Sequence, residues 1–278
     1  MSINWFPGHM VKARREIESN LKLVDVVVII LDARAPFSCR NPELEQMLGV
    51  KKKIMVLNKM DLADSKRLRD YIKDLRELGF SAAAIDSVSG RGSKEIWRLI
   101  DLAFADFKQK ALDKGRRVRP VRVMVAGVPN VGKSTFLNSF VGKKIAATGA
   151  KPGVTRGKQW VRVRDNIELL DTPGLMWPKV ESEDQGYKLA LLNIIGEKAY
   201  DEHELSLYLI RYLQEFAPGL LALRYRIDTE NGEENEILSS IAKRRGYLGK
   251  GGQPEVEKAG KLLLQDFRKG VLGTICLD

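Results

Sequence analysis

The sequence predicts an α/β fold, a mostly parallel sheet with helices on both faces, with an all-α domain behind it. Three observations carry this prediction. Nearly uninterrupted β-branched runs, VDVVVIIL (24–31) and KKKIMVLN (51–58), have the composition of strands buried on both faces, as parallel strands are. Segments with apolar residues at helical spacing alternate with such runs over the first 178 residues. From residue 179 onward the helical pattern continues alone. The expected organisation is an N-terminal turn and basic helix at 1–22, a sheet domain at 23–178 and a helical domain at 179–278.

In chain order, WFPGH (5–9) reads as an aromatic-anchored turn, and Met10, Ala13, Ile17 and Leu21 then recur at helical spacing. The first strand ends in DAR and is followed by helix-like NPELEQML, the second strand, helical SKRLRDYIKDLREL and a third apolar run, FSAAAIDSVSG. Residues 94–113 look helical, and KGRRVRP (114–120) is a basic linker into a strand built on Val121, Val123, Met124 and Val125. TFLNSFVGKK follows as a helix, TGAKPGVTRGKQW as a loop, and Val161, Val163, Ile167, Leu169 and Leu170 as a hairpin. In the last hundred residues, ELSLYLIRYLQEF places Leu205, Tyr208, Leu209, Tyr212, Leu213 and Phe216 in one stripe, predicting a core helix stopped by Ala217-Pro218-Gly219. ENEILSSIAKRR and PEVEKAGKLLLQDFRK predict two more helices, with GYLGKGG between them as a flexible basic loop.

At 278 residues, with 44% hydrophobic and 30% charged positions, the chain has the size and balance of a soluble protein with one large or two modest cores. No apolar run approaches the roughly 20 residues of a membrane span, and no signal-peptide pattern opens the chain, so a cytoplasmic protein without a membrane partner is expected. Cys39 and Cys276 suggest neither a disulfide framework nor a zinc cluster. The net charge of +11 is uneven: residues 1–178 hold 33 Lys+Arg against 19 Asp+Glu, and residues 179–278 hold 14 against 17. Within the second part, Lys243, Arg244, Arg245, Lys250, Lys258, Lys261, Arg268 and Lys269 make residues 237–278 locally positive. This pattern favours a nucleic-acid partner, with RNA contacts at 243–269.

The chemistry-bearing motifs all sit at expected strand ends. AGVPNVGKST fits G-x-x-x-x-G-K-[ST], with Gly127, Gly132, Lys133 and Ser134 at the fixed positions between a strand and a helix. Such a loop aims backbone N–H groups, here from Asn130, Val131, Gly132, Lys133, Ser134 and Thr135, at a phosphate. Lys133 is placed to reach β- and γ-phosphates, and the Ser134 hydroxyl to ligate Mg²⁺. Asn58-Lys59-Met60-Asp61 is an N-K-x-D sequence at the second strand's end. One carboxylate, Asp61, can accept from both guanine N1–H and its exocyclic amine; adenine would leave that charge unpaired. Asn58 would stitch this loop to the phosphate loop, and the Lys59 stem would cover the base. Asp86 and Ser87 open a third loop whose backbone N–H could meet guanine O6; a plain turn capped by Ser89 or Ser93 explains it nearly as well. Thr155 is the candidate second hydroxyl on Mg²⁺. In the D-x-x-G of Asp171-Thr172-Pro173-Gly174, Asp171 would hold the metal through water and Gly174 would offer its N–H to the γ-phosphate.

These motifs occur out of their usual order, since N-K-x-D and the base loop precede the phosphate loop. A pocket is indifferent to chain order when the joined termini are close, so the reading is a circularly permuted P-loop GTPase domain with its join near 114–119. Its last motif leads straight into the helical domain, where nucleotide state would be read out.

The sequence resembles the ribosome biogenesis GTPase A family over nearly its whole length, through WFPGHMVKARRE, LDARAPFSCRNP, LNKMDLAD, GVPNVGKST, PGVT and LLDTPGLMWPK. The resemblance implies GTP/GDP and Mg²⁺ as ligands and binding to the late precursor of the large (50S) subunit in the GTP state; a monomer is expected. It further implies contact with 23S ribosomal RNA and release on hydrolysis. Where Ras-like enzymes carry a water-orienting Gln after D-x-x-G, this chain has Leu175, which cannot hydrogen-bond water. The resemblance points instead to His9 as the catalytic residue. Asn130 matches the Asn that coordinates K⁺ in potassium-stimulated GTPases. The alternatives are a non-ribosomal GTP switch whose helical tail binds a protein, and an RNA-binding protein with a relic nucleotide site.

Overall fold

The computed structural model describes residues 9–141, 160–164, 166–171, 180–229 and 232–278. The chain divides into two compact units, one holding Trp5–Pro178 together with Cys276–Asp278 and the other holding Lys179–Ile275.

In the first unit, helix α1 (His9–Leu21) precedes β1 (Val26–Asp32), all seven residues of which are buried. Helix α2 (Pro42–Leu48) is capped by the Asn41 side chain on Leu44 N and leads to β2 (Lys52–Asn58). Helix α3 (Ser65–Glu77), capped by Asp64, buries Leu68, Tyr71 and Leu75 and leads to β3 (Ser81–Ile85). Helix α4 (Ser93–Asp113) then precedes β4 (Val121–Ala126), α5 (Lys133–Val141), β5 (Trp160–Arg164) and β6 (Ile167–Asp171). The sheet order is β3-β2-β1-β4-β6-β5, parallel except for the β5–β6 hairpin. The chain winds outward from β1 to the edge at β3, and α4 with the linker carries it back to β4 on the other side of β1. The order therefore reverses between β1 and β4, and the crevice at their carboxyl ends is where such a sheet binds ligands.

The linker is anchored at the opposite end of these strands. Arg119 donates from both terminal nitrogens to the Asp25 carboxylate at 2.8 Å each, and its guanidinium lies 4.8 Å from the Phe107 ring centroid. Asp25 also accepts from Arg122 N at 2.9 Å. Partial burial works against the Asp25 charge, but these partners outweigh it and lower the carboxyl's pKa.

The second unit consists of α6 (Glu183–Leu191), α7 (Glu202–Phe216), α8 (Leu220–Tyr225), α9 (Glu234–Arg244) and α10 (Val256–Arg268). Its core is formed by Leu205, Leu209, Leu213, Ile237, Leu238, Ile241, Leu263, Leu264 and Phe267. The predicted stripe on α7 is narrower than expected. Ser206 and Ile210 share the buried face with Leu205, Leu209 and Leu213, whereas Tyr208 and Tyr212 are half-buried and Phe216 is 62% exposed. At 3.6 residues per turn, positions 208, 212 and 216 form a neighbouring row, and their rings stack with Tyr187 into a ladder. The expected flexible loop after α9 is instead closed by a bridge between Leu248 and Pro254 and contains a short turn, Lys250–Gly252.

Candidate nucleotide site

Strand β4 delivers the loop 127–132 to the N-terminus of α5. Gly127 and Gly132 have φ values of 143° and 93°, and a Cβ on either would collide with Ile30 O or Asn58 Nδ2 respectively. Only glycine fits there. Asn130 is also left-handed, at φ 60°. Lys133 is 9% exposed and donates from Nζ to Val128 O at 2.8 Å, so its ammonium lies within the curve of the loop. Ser134 and Thr135 are half-buried on the first turn of α5, which carries no acidic residue to offset the helix dipole. A helix N-terminus with its dipole and an ammonium on one concave loop make an anion site.

Three loops converge on one buried amide beside it. Asn58, 2% exposed at the end of β2, donates from Nδ2 to Val131 O at 2.8 Å. Its Oδ1 accepts from Ser87 Oγ at 2.7 Å and Ser87 N at 3.3 Å. Asn58 thereby joins the β2 loop, the phosphate loop and the β3 loop. Lys59 turns the backbone through the left-handed region and leaves Asp61 exposed in the short turn Met60–Leu62. Asp86 spends its carboxylate on its own loop, accepting from Val88 N at 2.9 Å and from Ser89 N and Oγ. Helix α4 starts at Gly92 without a side-chain cap, so neither Ser89 nor Ser93 caps it; Asp86 organises the turn instead.

Sequence reasoning gave no role to the DAR that ends β1. Asp32 is fully buried, and Arg34, 2% exposed, forks onto it with Nε to Oδ1 and Nη2 to Oδ2, each at 2.9 Å. Lys59 Nζ lies 2.8 Å from Asp32 Oδ2 and donates to Asn130 O at 3.0 Å. Burial opposes the Asp32 charge, but Arg34 and Lys59 outweigh it and hold the carboxyl far below the ordinary range. The available signal was two opposite charges two residues apart at the end of an otherwise apolar strand, where they must neutralise each other.

The structure brings together Asn58, Lys59, Asp86, Ser87, Asn130, Val131, Gly132, Lys133, Ser134 and Thr135, with Asp61 at the surface of the same turn. His9 opens α1, and Asp171 ends β6 opposite Val125 of β4. The side chains of these two residues, and the whole of Thr155 and Gly174, lie outside the described residues.

Known proteins share this architecture. A family described as 50S ribosome-binding GTPase matches residues 122–240. The chain is 40% identical over 282 residues to ribosome biogenesis GTPase A of Priestia megaterium, covering 100% of this chain and 97% of the relative. It is 33% identical over 295 residues to mitochondrial ribosome-associated GTPase 1 of Mus musculus, covering 99% and 89%. A GDP-bound YlqF superposes with a TM-score of 0.69 at 26% identity, covering 95% and 98% of the two chains. A GNP-bound YlqF from T. maritima gives 0.66 at 28%, covering 96% and 97%. A permuted strand order around a phosphate loop, joined to full-length identity at this level, leads to one conclusion: the chain belongs to the ribosome biogenesis GTPase A family and is a GTPase of ribosome biogenesis.

Proposed function

We propose that this GTPase binds the late precursor of the large (50S) ribosomal subunit in its GTP state, contacts 23S ribosomal RNA, promotes maturation and leaves on hydrolysis. The observation that carries the nucleotide side is Asn58, which bonds the phosphate loop and the base loop at once. On this reading Asp61 accepts from the guanine edge, the Lys59 stem lies along the base, and Asp86 and Ser87 shape the loop that meets O6. Backbone N–H groups at 130–135 hold the phosphates, and Lys133 exchanges Val128 O for phosphate oxygen. Ser134, a hard hydroxyl donor on the first helical turn, suits Mg²⁺, with Thr155 and Asp171 completing its protein ligands. The metal would supply positive charge at the β- and γ-phosphates. Gly174 N–H reports the γ-phosphate, and His9, in place of the missing Gln, orients the attacking water. Asn130 is the candidate K⁺ ligand, checked by comparing turnover in K⁺ and Na⁺.

The ribosomal side rests on the family and on charge. Lys243, Arg244, Arg245 and Lys250 are exposed around the end of α9, a surface suited to RNA phosphates. Such a protein acts as a cytoplasmic monomer without a membrane partner; no described helix is long and apolar enough to cross one. Sucrose-gradient sedimentation of extract with a non-hydrolysable GTP analogue tests the proposal. Co-migration with large-subunit particles, weakened between about 50 and about 200 mM salt, is expected. Absence from those particles, with a salt-insensitive protein complex instead, would favour a non-ribosomal switch.

A further inference from the structure

Residues 276–278 follow the helical unit in sequence but belong to the sheet unit. They are held there by a dense set of polar bonds. Leu277, 1% exposed, donates from its N to Arg34 O at 2.6 Å. The Asp278 side-chain carboxylate accepts from Phe37 N at 2.7 Å, Ser38 N at 2.9 Å and Ser38 Oγ at 2.5 Å. Asp278 O accepts from Arg67 Nη2 at 2.7 Å and Tyr71 OH at 2.5 Å, both on α3. The Phe37 ring stands edge-on to Tyr71 at 5.7 Å and closes the seat.

Arg34 is gripped from two sides. Its carbonyl takes Leu277, while its guanidinium forks onto Asp32, which holds Lys59, which in turn holds the phosphate loop at Asn130 O. The steps measure 2.6, 2.9, 2.8 and 3.0 Å, with Asp32 and Arg34 almost entirely shielded from water. A shielded charge cluster cannot loosen gradually, because any member that leaves strands its partner. We propose that Asp32 and Arg34 are positioning residues for guanine-nucleotide binding, and that Leu277 and Asp278 form the latch that holds them. The last three residues of the chain, which follow the helical unit in sequence, are thus seated in the sheet unit beside the residues that hold the N-K-x-D loop. A pull on this end of the chain releases nucleotide. This inference rests on the reading of Lys59 and Asp61 as base-contact residues.

The test is the dissociation rate of a fluorescent GDP analogue from the purified full chain, with no ribosome present. Asp278→Ala removes charge-assisted bonds and is expected to speed release roughly tenfold and raise KM in proportion, with turnover at saturating GTP within about twofold of wild type. Ser38→Ala, a milder change, should move release in the same direction. Lys59→Met removes the end of the chain of contacts, and adding Asp278→Ala to it should bring no further acceleration. Multiplying effects in that cycle, or unchanged release in both folded Asp278→Ala and Ser38→Ala, would overturn the latch. Asp61→Ala separates the two ideas: unchanged GDP affinity there would overturn the base-site reading itself.

Discussion

Asn58 Nδ2 donates to the carbonyl oxygen of Val131 at 2.8 Å, so a side chain at the end of β2 fixes the phosphate loop that follows β4, 73 residues later in the chain. Because Asn58 Oδ1 also accepts from Ser87, removing this amide leaves three polar groups on two other loops without their partner. Asn58→Ala is expected to weaken GDP and GTP binding by about tenfold or more, the loss that follows from stranding buried donors and acceptors. Equilibrium titration with a fluorescent nucleotide gives the number. An affinity within twofold of wild type would show that the three loops hold their places without it.

On the proposed function the base preference rests on Asp61, which is exposed. Xanthine carries a carbonyl where guanine carries its amine, so Asp61→Asn, which offers a donor there, should exchange GTP for XTP. A loss of GTP affinity by about 10²-fold with a matching gain for XTP is expected, on the scale set by leaving a buried polar partner unpaired. Competition titrations with both nucleotides measure it, and a variant that loses GTP without gaining XTP contradicts the assigned contact.

For His9, the expectation concerns rate alone. His9→Ala should lower GTP turnover in the presence of large subunits by about 10²–10⁴-fold, the usual worth of a positioned acid, base or water-orienting group. Nucleotide affinity should stay near wild type. Unaltered turnover would remove His9 from the chemistry.

Asp32 gives a pH signature. Burial raises its pKa and is outweighed by Arg34 and Lys59, so the folded value lies below the unfolded one. A carboxyl depressed on folding contributes stability that is complete above its unfolded pKa of about 4 and is lost as pH falls through the folded value. Asp32→Asn should therefore cost about 3–5 kcal/mol at neutral pH, since it leaves Arg34 and Lys59 without their counter-charge. The gap between variant and wild type should narrow below about pH 4, where the Asp32 carboxyl of the unfolded wild-type chain takes up a proton and that of the folded protein does not. Denaturation series from pH 3 to 7 test this, and a gap independent of pH contradicts it.

At the other end of the strands, Arg119 joins the basic linker to Asp25 and the Phe107 ring. The pair is partly exposed, with side chains 43% and 18% accessible, so its worth is modest. Arg119→Ala should destabilise by about 1 kcal/mol, a shift of about 2–4 °C in Tm for a unit of this size, with nucleotide affinity unchanged. Thermal melts and the titration above check both halves.

The sequence by itself determined the strands, most helices and the placing of the phosphate-loop and N-K-x-D motifs at strand ends. Buried parallel strands require unbroken apolar runs, and phosphate and guanine contacts require fixed residue types at fixed short spacings, so both are written locally. The permuted order was equally legible, because each motif marks its own strand end and the pocket needs only that those ends meet. Tertiary structure alone decided the rest. Nothing local in Asp278 announces its bonds to Ser38, 240 residues away, and the DAR charges acquire a role only when Lys59 from the next strand closes over them. On α7, periodicity placed Tyr208, Tyr212 and Phe216 in the core, but the width of the face that α9 and α10 cover left their rings in a partly exposed row. Periodicity fixes which side of an element is apolar; how much of that side is covered, and by which distant residue, depends on packing that exists only once the chain has closed on itself.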